Sequence, residues 1–241
     1  MTTAVAAEVS PLALLGVGAA YGRIEVLHGV DIAVPRHRVA ALLGPNGAGK
    51  TTALAVMSGL MQPTRGCRHV DGRHVNRARA DELTRIGIRH IREGRSVYPN
   101  LSVRDNLIVA ASAGASAAAI EEVAFTLFPQ LKARHAQLAG NLSGGEKQML
   151  ALARGLGAQP SVLLIDELSM GLAPLVVAEL YETVANVAAQ GVSVLVVEQF
   201  ARVGLRYASE AYVMAHGTVT YAGPSAGAED AVYRAYLGAD K

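Results

Sequence analysis

At 241 residues the chain is long enough for one large domain or two small ones. Apolar residues make up 51% of it and charged residues 17%, with a net charge of +2, so the core can be substantial and global charge does not mark a nucleic-acid binder. The single cysteine, Cys67, excludes an internal disulfide and fits a reducing compartment.

The opening stretch, MTTAVAAEVSPLALL, lacks the basic start of a secretory signal. No uninterrupted apolar run reaches about 18 residues, so no membrane span is expected, and any role at a membrane requires docking through a partner. Residues 12–17 (LALLGV) and 39–43 (VAALL) read as strands. The second runs into GPNGAGKTT and then a helix to about Ser58, stopped by Gly59 and Pro63. In RHVDGRHV (68–75), Asp71-Gly72 sits between alternating residues and predicts a hairpin. Residues 86–91 read as a further strand. Ser102 to Asp105 has capping-box spacing and opens a helix. Ile120, Val123, Ala124, Leu127 and Phe128 form a helical stripe closed by Pro129. The Ala/Ser/Gly-rich patch at 110–119 reads as a loose helix–helix connection. SVLLID (161–166) and VSVLVVE (192–198) suit strands buried on both faces of a parallel sheet. Val176, Leu180, Val184 and Val187 line a helix between them, which makes a βαβ crossover. No strand signal appears from about 95 to 157, so a helical insertion interrupts an otherwise α/β chain.

Gly44-Pro45-Asn46-Gly47-Ala48-Gly49-Lys50-Thr51, with Thr52 beside it, matches the phosphate-loop pattern G-x-x-x-x-G-K-[ST]. Its glycines let backbone N–H groups curl around phosphate oxygens, and the following helix N-terminus adds partial positive charge. Lys50 would reach the β- and γ-phosphates and the Thr51 hydroxyl would ligate Mg²⁺. Asp166 and Glu167 end a buried strand: Asp166 would hold Mg²⁺, and Glu167 would polarise an attacking water, a role that contributes roughly 10²–10⁴-fold in rate. The alternative is a carboxylate pair that caps the next helix. Ser143-Gly144-Gly145-Glu146 opens a helix with Met149, Leu152, Ala153 and Leu156 on its apolar face, a second anion-binding helix start. Two copies arranged head to tail could bring each such turn to the nucleotide held by the other. Taken alone, a Gly-Gly helix start is more often a capping turn.

The set GPNGAGKTT, LSGGEKQ and LLIDE, in this order and spacing, resembles the ATP-binding-cassette (ABC) ATPases over nearly the whole chain. In that family the LSGGE turn, here Ser143 to Glu146, completes the partner's ATP site. Tyr21 matches the aromatic that stacks on adenine. Glu93 sits where most members carry a Gln that contacts Mg²⁺ and the permease side, and Gln199 where most carry a switch His. Leu168 and Phe200 depart from the customary Pro and Asn. IREGRSVYPNLSVRDNL, LFPQLKARHAQLAGNLSGGEKQML, SMGLAP, VVEQFA and YRAYLG are similar to the ATPase subunits of branched-chain (hydrophobic) amino-acid importers.

The resemblance implies an α/β P-loop NTPase spanning 9–241. Its RecA-like core covers about 9–94 and 158–241, with a parallel-rich sheet and an N-terminal antiparallel β part. The inserted α-helical signature subdomain covers about 95–157. It implies ATP and Mg²⁺ as ligands and a second ABC ATPase subunit, a paralogue or a copy of itself. It also implies integral membrane permeases, an extracytoplasmic solute-binding protein, and a peripheral place on the cytoplasmic face of the membrane. Alternatives are an importer ATPase for another small solute such as urea or an amide, a non-transport soluble ABC ATPase, or an ATP-binding regulatory subunit with little turnover. Nine arginines between Arg65 and Arg95 read as a solvated face rather than a nucleic-acid surface, because acidic residues interleave and no stacking aromatics accompany them. Cys67 and the seven histidines show no metal-ligand spacing.

Overall fold

The computed structural model describes residues 10–94, 96–111 and 116–237. The opening stretch to residue 9, Arg95, the middle of the Ala/Ser/Gly-rich patch and residues 238–241 lie outside them. The chain forms two sheets with a helix between them and a helical layer beyond. β1 (Leu12–Tyr21) and β2 (Ile24–Val34) make an antiparallel hairpin, and β4 (Arg65–Val70) with β5 (Arg73–His74) extends it into a sheet of order β2-β1-β4-β5. The Asp71-Gly72 turn has φ of 46° and 74°, two left-handed residues that match the twist of a two-residue hairpin.

The second sheet is mostly parallel. β3 (Val39–Leu43), β6 (Ile88–Ile91), β7 (Val162–Asp166), β8 (Ser193–Glu198), β9 (Glu210–Ala215) and β10 (Thr218–Pro224) lie in the order β10-β9-β3-β8-β7-β6. Only β10 runs antiparallel to its neighbour. Every residue of β3, β7 and β8 is buried, as continuous apolar strands covered on both faces require. The register sets Leu43 beside Glu198 and Asp166 beside Val197. The loops that leave β3, β7 and β8 therefore emerge together at one edge.

α1 (Lys50–Met57) lies between the sheets and buries Thr52, Ala53, Leu54, Val56 and Met57, so its apolar surface is not confined to one stripe. α2 (Ala80–Arg85) precedes β6. Between β6 and β7 the described residues form only helices, 3₁₀ turns and one isolated bridge, Ser102 to Leu138. These helices are α3 (Val103–Ala110), α4 (Ala117–Leu127), α5 (Pro129–Lys132) and α6 (Gly144–Gly157). Ser102 Oγ accepts from Asp105 N–H at 3.0 Å as the capping spacing predicts, but its own hydroxyl donates to the Asp105 carboxylate at 2.6 Å. Val103, Leu107, Ile120, Ala124, Phe128, Met149 and Leu152 form one core with the sheet and with α7 (Pro174–Ala189). On α7 the buried face carries Val177 and Tyr181 beside Leu180, Val184 and Val187, while Val176 turns toward α6. α8 (Ala201–Tyr207) and α9 (Glu229–Leu237) complete the fold.

The Arg-rich stretch is not uniformly solvated. Arg36 pairs with Asp71, Arg65 with Glu25, and Arg79 and Arg85 with Asp81, all at the surface. Arg68, however, is fully buried, and its guanidinium donates to the carbonyls of Val56, Val75, Asn76 and Ala78. The two terminal nitrogens of its rigid fork gather carbonyls from the end of α1 and from the loop after β5.

His90 is packed under α1, with ring Nδ1 3.1 Å from Ser58 Oγ and Nε2 buried without a partner. Burial, with a smaller contribution from the charge of Arg92, lowers its pKa to about 4. The unfolded chain thus binds a proton that the folded chain refuses, and stability falls as pH drops from 6.5 toward 4. At pH 5 this group should remove about 2 kcal/mol of the stability present at pH 8. Denaturant melts of wild type and His90→Asn across that range should show a shallower decline for the variant; parallel declines would contradict the assignment.

Candidate nucleotide-binding site

β3 delivers the chain into a loop whose Gly44, Gly47 and Gly49 have φ of 155°, 79° and 101°. A Cβ on Gly44 would lie 2.3 Å from the carbonyl oxygen of Met214, so only glycine fits there. No side chain caps the N-terminus of α1, and no acidic residue occupies its first turn. Its free N–H groups are therefore open to an anion. Lys50 is 6% exposed, and its ammonium donates to Gly44 O at 2.7 Å and Pro45 O at 3.1 Å. Burial lowers its pKa, against the attraction of Glu167, Asp166 and Glu198. Thr51 faces solvent and Thr52 is buried.

Opposite Lys50, β7 ends in two buried carboxylates. Asp166 Oδ1 and Glu167 Oε2 are buried and have no hydrogen-bond partner among the described residues. Burial first, then the charges of Glu93 and Glu198, raise the Asp166 pKa to about 6 against the pull of Lys50. Burial and Glu198 likewise raise Glu167. Glu167 also has φ of 53°, a left-handed conformation that costs a non-glycine residue of order 1–3 kcal/mol unless its surroundings impose it. Its N–H is tied to Val197 O at 3.0 Å. Orphaned carboxylate oxygens crowded by like charge, with the Thr51 hydroxyl beside Lys50, form an oxygen donor set that fits a hard divalent cation such as Mg²⁺. Glu93 is exposed in the turn after β6, near enough for its charge to reach Asp166.

The Ser143 turn is built differently. Ser143 Oγ accepts from Glu146 N–H at 3.3 Å, and Glu146 Oε2 accepts from Ser143 N–H at 2.8 Å, a reciprocal capping box. The bond from Ser143 N–H is the main cause that lowers the Glu146 pKa, and Arg134 adds an ion pair at 2.6 Å. A Cβ on Gly145 would meet Val176 at 2.7 Å, so α6 lies close against the start of α7. The hydrogen bonds and the ion pair of this turn are with itself and with Arg134, while Ser143 and Gly144 remain exposed.

Tyr21 ends β1 with 55% of its surface exposed. Gln199 directly follows β8, half-buried, and its carbonyl accepts from the Tyr236 hydroxyl of α9. Tyr236 and Glu198 were not singled out from the sequence. Burial raises the Tyr236 pKa, against the influence of the nearby Gly44 backbone. Glu198 is fully buried and accepts from Ser169 N–H at 3.0 Å, Ser169 Oγ at 2.6 Å and the Tyr181 hydroxyl at 2.6 Å. Leu168, where proline is customary in the resembling family, keeps an N–H that adds a weaker contact to the same carboxylate. An acidic residue closing the apolar run VLVV was the signal for Glu198.

The family model described as "ABC transporter" matches residues 27–169. The chain belongs to the ABC transporter family. It has the P-loop NTPase fold, and it is an ATPase. It is 37% identical to the high-affinity branched-chain amino acid transport ATP-binding protein BraG of Pseudomonas aeruginosa, over 83% of this chain and 86% of that one. It is 32% identical to the lipopolysaccharide export system ATP-binding protein LptB of Acidithiobacillus ferridurans, over 90% and 92%. A bacterial ABC transporter cassette solved as a dimer superposes with a TM-score of 0.79 at 23% identity, over 89% of this chain and 98% of that one. Among the described residues, no helix is long and apolar enough to cross a membrane.

If Gly44 to Thr52 cradle the phosphates, replacing Lys50 with alanine should cost a charge-assisted contact of about 1.5–3 kcal/mol. ATP affinity should fall roughly 10- to 150-fold. Titration with a fluorescent ATP analogue measures this, and unchanged affinity would exclude the loop as the phosphate site.

Proposed function

We propose that this chain is the ATP-binding and hydrolysing subunit of an importer, energising uptake of branched-chain or related hydrophobic amino acids through a membrane permease. The observation that carries this reading is the 37% identity to BraG over most of both chains. The phosphates of ATP lie on Gly44 to Thr52, and Lys50 exchanges the Gly44 and Pro45 carbonyls for phosphate oxygens. Tyr21 stacks on adenine. Asp166, Thr51 and Glu93 would hold Mg²⁺. When bound, the ion neutralises charge on the β- and γ-phosphate oxygens. Glu167 accepts the proton of the water that attacks the γ-phosphorus, the bond to the β–γ bridging oxygen breaks, and ADP and phosphate are released. The raised pKa of Glu167 supports this role, because a base closer to neutral pH accepts that proton more readily. The Gln199 amide donates to the γ-phosphate.

Two such chains, this one with a copy or with a paralogue, close head to tail. The exposed Ser143 turn, Gly144 to Glu146 included, then completes the partner's site. The exposed apolar side chains of Met170, Leu175 and Phe200 support a face that is covered in the dimer. The helical subdomain, about 95–157, passes the closing motion to the permease on the cytoplasmic face of the membrane, and an extracytoplasmic solute-binding protein supplies the solute. The likeness to LptB favours lipopolysaccharide export as the second reading.

Uptake of labelled leucine, isoleucine and valine by cells lacking this chain decides between the two. Uptake should fall and return with wild type, but not with Glu167→Gln or Ser143→Arg. Unchanged uptake with loss of surface lipopolysaccharide would favour the second reading, and unchanged uptake alone would contradict the first.

A further inference from the structure

Glu198 is a buried ionisable side chain that the proposed chemistry leaves without a task. It is the last residue of β8, fully shielded from solvent, and paired in register with Leu43 at the start of the phosphate loop. A carboxylate in that position is costly unless each lone pair finds a donor. The donors are specific. Oε1 accepts from Ser169 N–H and the Tyr181 hydroxyl, and Oε2 accepts from the Ser169 hydroxyl. All three are donors aimed at one group, which an acceptor-only carboxylate satisfies best.

The segment thus held begins two residues after Glu167. That residue has a left-handed backbone, and its own N–H is bound to Val197 O at 3.0 Å. Consecutive residues of β8, Val197 and Glu198, therefore grip the chain on both sides of Glu167. Tyr181 is fixed in turn: its ring stacks on Tyr207 of α8, with centroids 4.9 Å apart and planes 24° from parallel. The clamp joins the end of β8, the loop after β7, and helices α7 and α8. Strain at a single residue persists only where the surroundings over-determine it. The Glu198 cluster is the surrounding structure on the far side of Glu167.

We propose that Glu198 is a positioning residue for ATP hydrolysis: through Ser169 it holds Glu167 in the conformation that presents its carboxylate to the attacking water. This rests on the reading of Glu167 as the base. Tyr181 is the accessory that orients the Glu198 carboxylate. Neither residue touches the nucleotide, so ATP binding does not depend on them.

The test is single-turnover ATP hydrolysis by the full chain at saturating ATP, with ATP affinity and melting temperature measured on the same preparations. Glu198→Gln keeps the size of the side chain but puts an amide donor against the Ser169 and Tyr181 donors. It should lower the hydrolysis rate roughly 10- to 100-fold, as small misplacements of a catalytic group do, with ATP affinity unchanged. Tyr181→Phe should give a smaller loss of the same kind. In the Glu167→Gln background, Glu198→Gln should cause no further loss, because the group it positions is already gone. An equal fractional loss in both backgrounds would overturn the proposal and leave Glu198 a structural residue. If Glu198→Gln does not fold, Tyr181→Phe and Ser169→Ala carry the test, and unchanged rates in both would overturn it equally. Near-normal hydrolysis by Glu167→Gln alone would instead remove the reading of Glu167 on which the proposal rests.

Discussion

The site is organised around a charge imbalance. One ammonium, that of Lys50, shares the C-terminal edge of the parallel sheet with the carboxylates of Asp166, Glu167 and Glu198, and with Glu93 at the rim. Like charges in a water-poor place repel, and burial adds its own penalty to each ionised form. The chain accommodates this in three ways. Lys50 bonds the Gly44 and Pro45 carbonyls, Glu198 gathers local donors, and burial raises the pKa of Asp166, Glu167 and Glu198. One buried oxygen each of Asp166 (Oδ1) and Glu167 (Oε2) has no hydrogen-bond partner among the described residues. On the proposed function, a polyphosphate with its divalent cation would supply what is missing, the cation at the carboxylates and the phosphates at Lys50 and the start of α1.

Everything else positions these few groups. Parallel pairing of β3 with β8 and of β8 with β7 sets Gly44, Gln199 and Glu167 side by side, although they lie far apart in sequence. α9 returns to this edge and bonds the Gln199 carbonyl through Tyr236. The helical layer shares the core of the sheet, with α6 packed against α3 and α4 around Leu107, Ile120 and Leu152. Its Ser143 turn is a finished cap that still exposes its hydroxyl-bearing end, a geometry suited to a ligand brought by another chain.

Strands buried on both faces were legible because β3, β7 and β8 are short, continuous apolar runs with no competing pattern. The phosphate loop was legible because glycine spacing and the following lysine leave few other structures. β1 was cut short at residue 17, since register shifts between Leu14 and Ala20 break the alternation that a sequence reading follows. β2, β9 and β10 were not singled out. β10 alternates partly and fully exposed positions, and the His216-Gly217 turn before it, with φ of 48° and 78°, was the available hairpin signal. Arg68 could not be told from its solvated neighbours, because its partners are backbone carbonyls that only the folded chain gathers. The acid that closes VLVV marks Glu198, but its role is hidden for the same reason: its donors lie in a loop and a helix that sequence alone does not bring together. The cation is inferred from oxygens left without partners.

The dependence of folding stability on cation and nucleotide together tests this account most directly. Thermal melts of Glu167→Gln, which removes turnover and one carboxylate, are to be compared with ATP and excess chelator, with Mg²⁺ alone, and with both. Ligand that binds only the folded chain stabilises it by RT ln(1 + [L]/Kd), and the melting temperature rises accordingly. The account predicts a large rise with Mg²⁺ and ATP together and little with either alone, because bare triphosphate adds anionic charge to a cluster of carboxylates. An equal rise with ATP in chelator would contradict the claim that the carboxylate edge is completed by a cation.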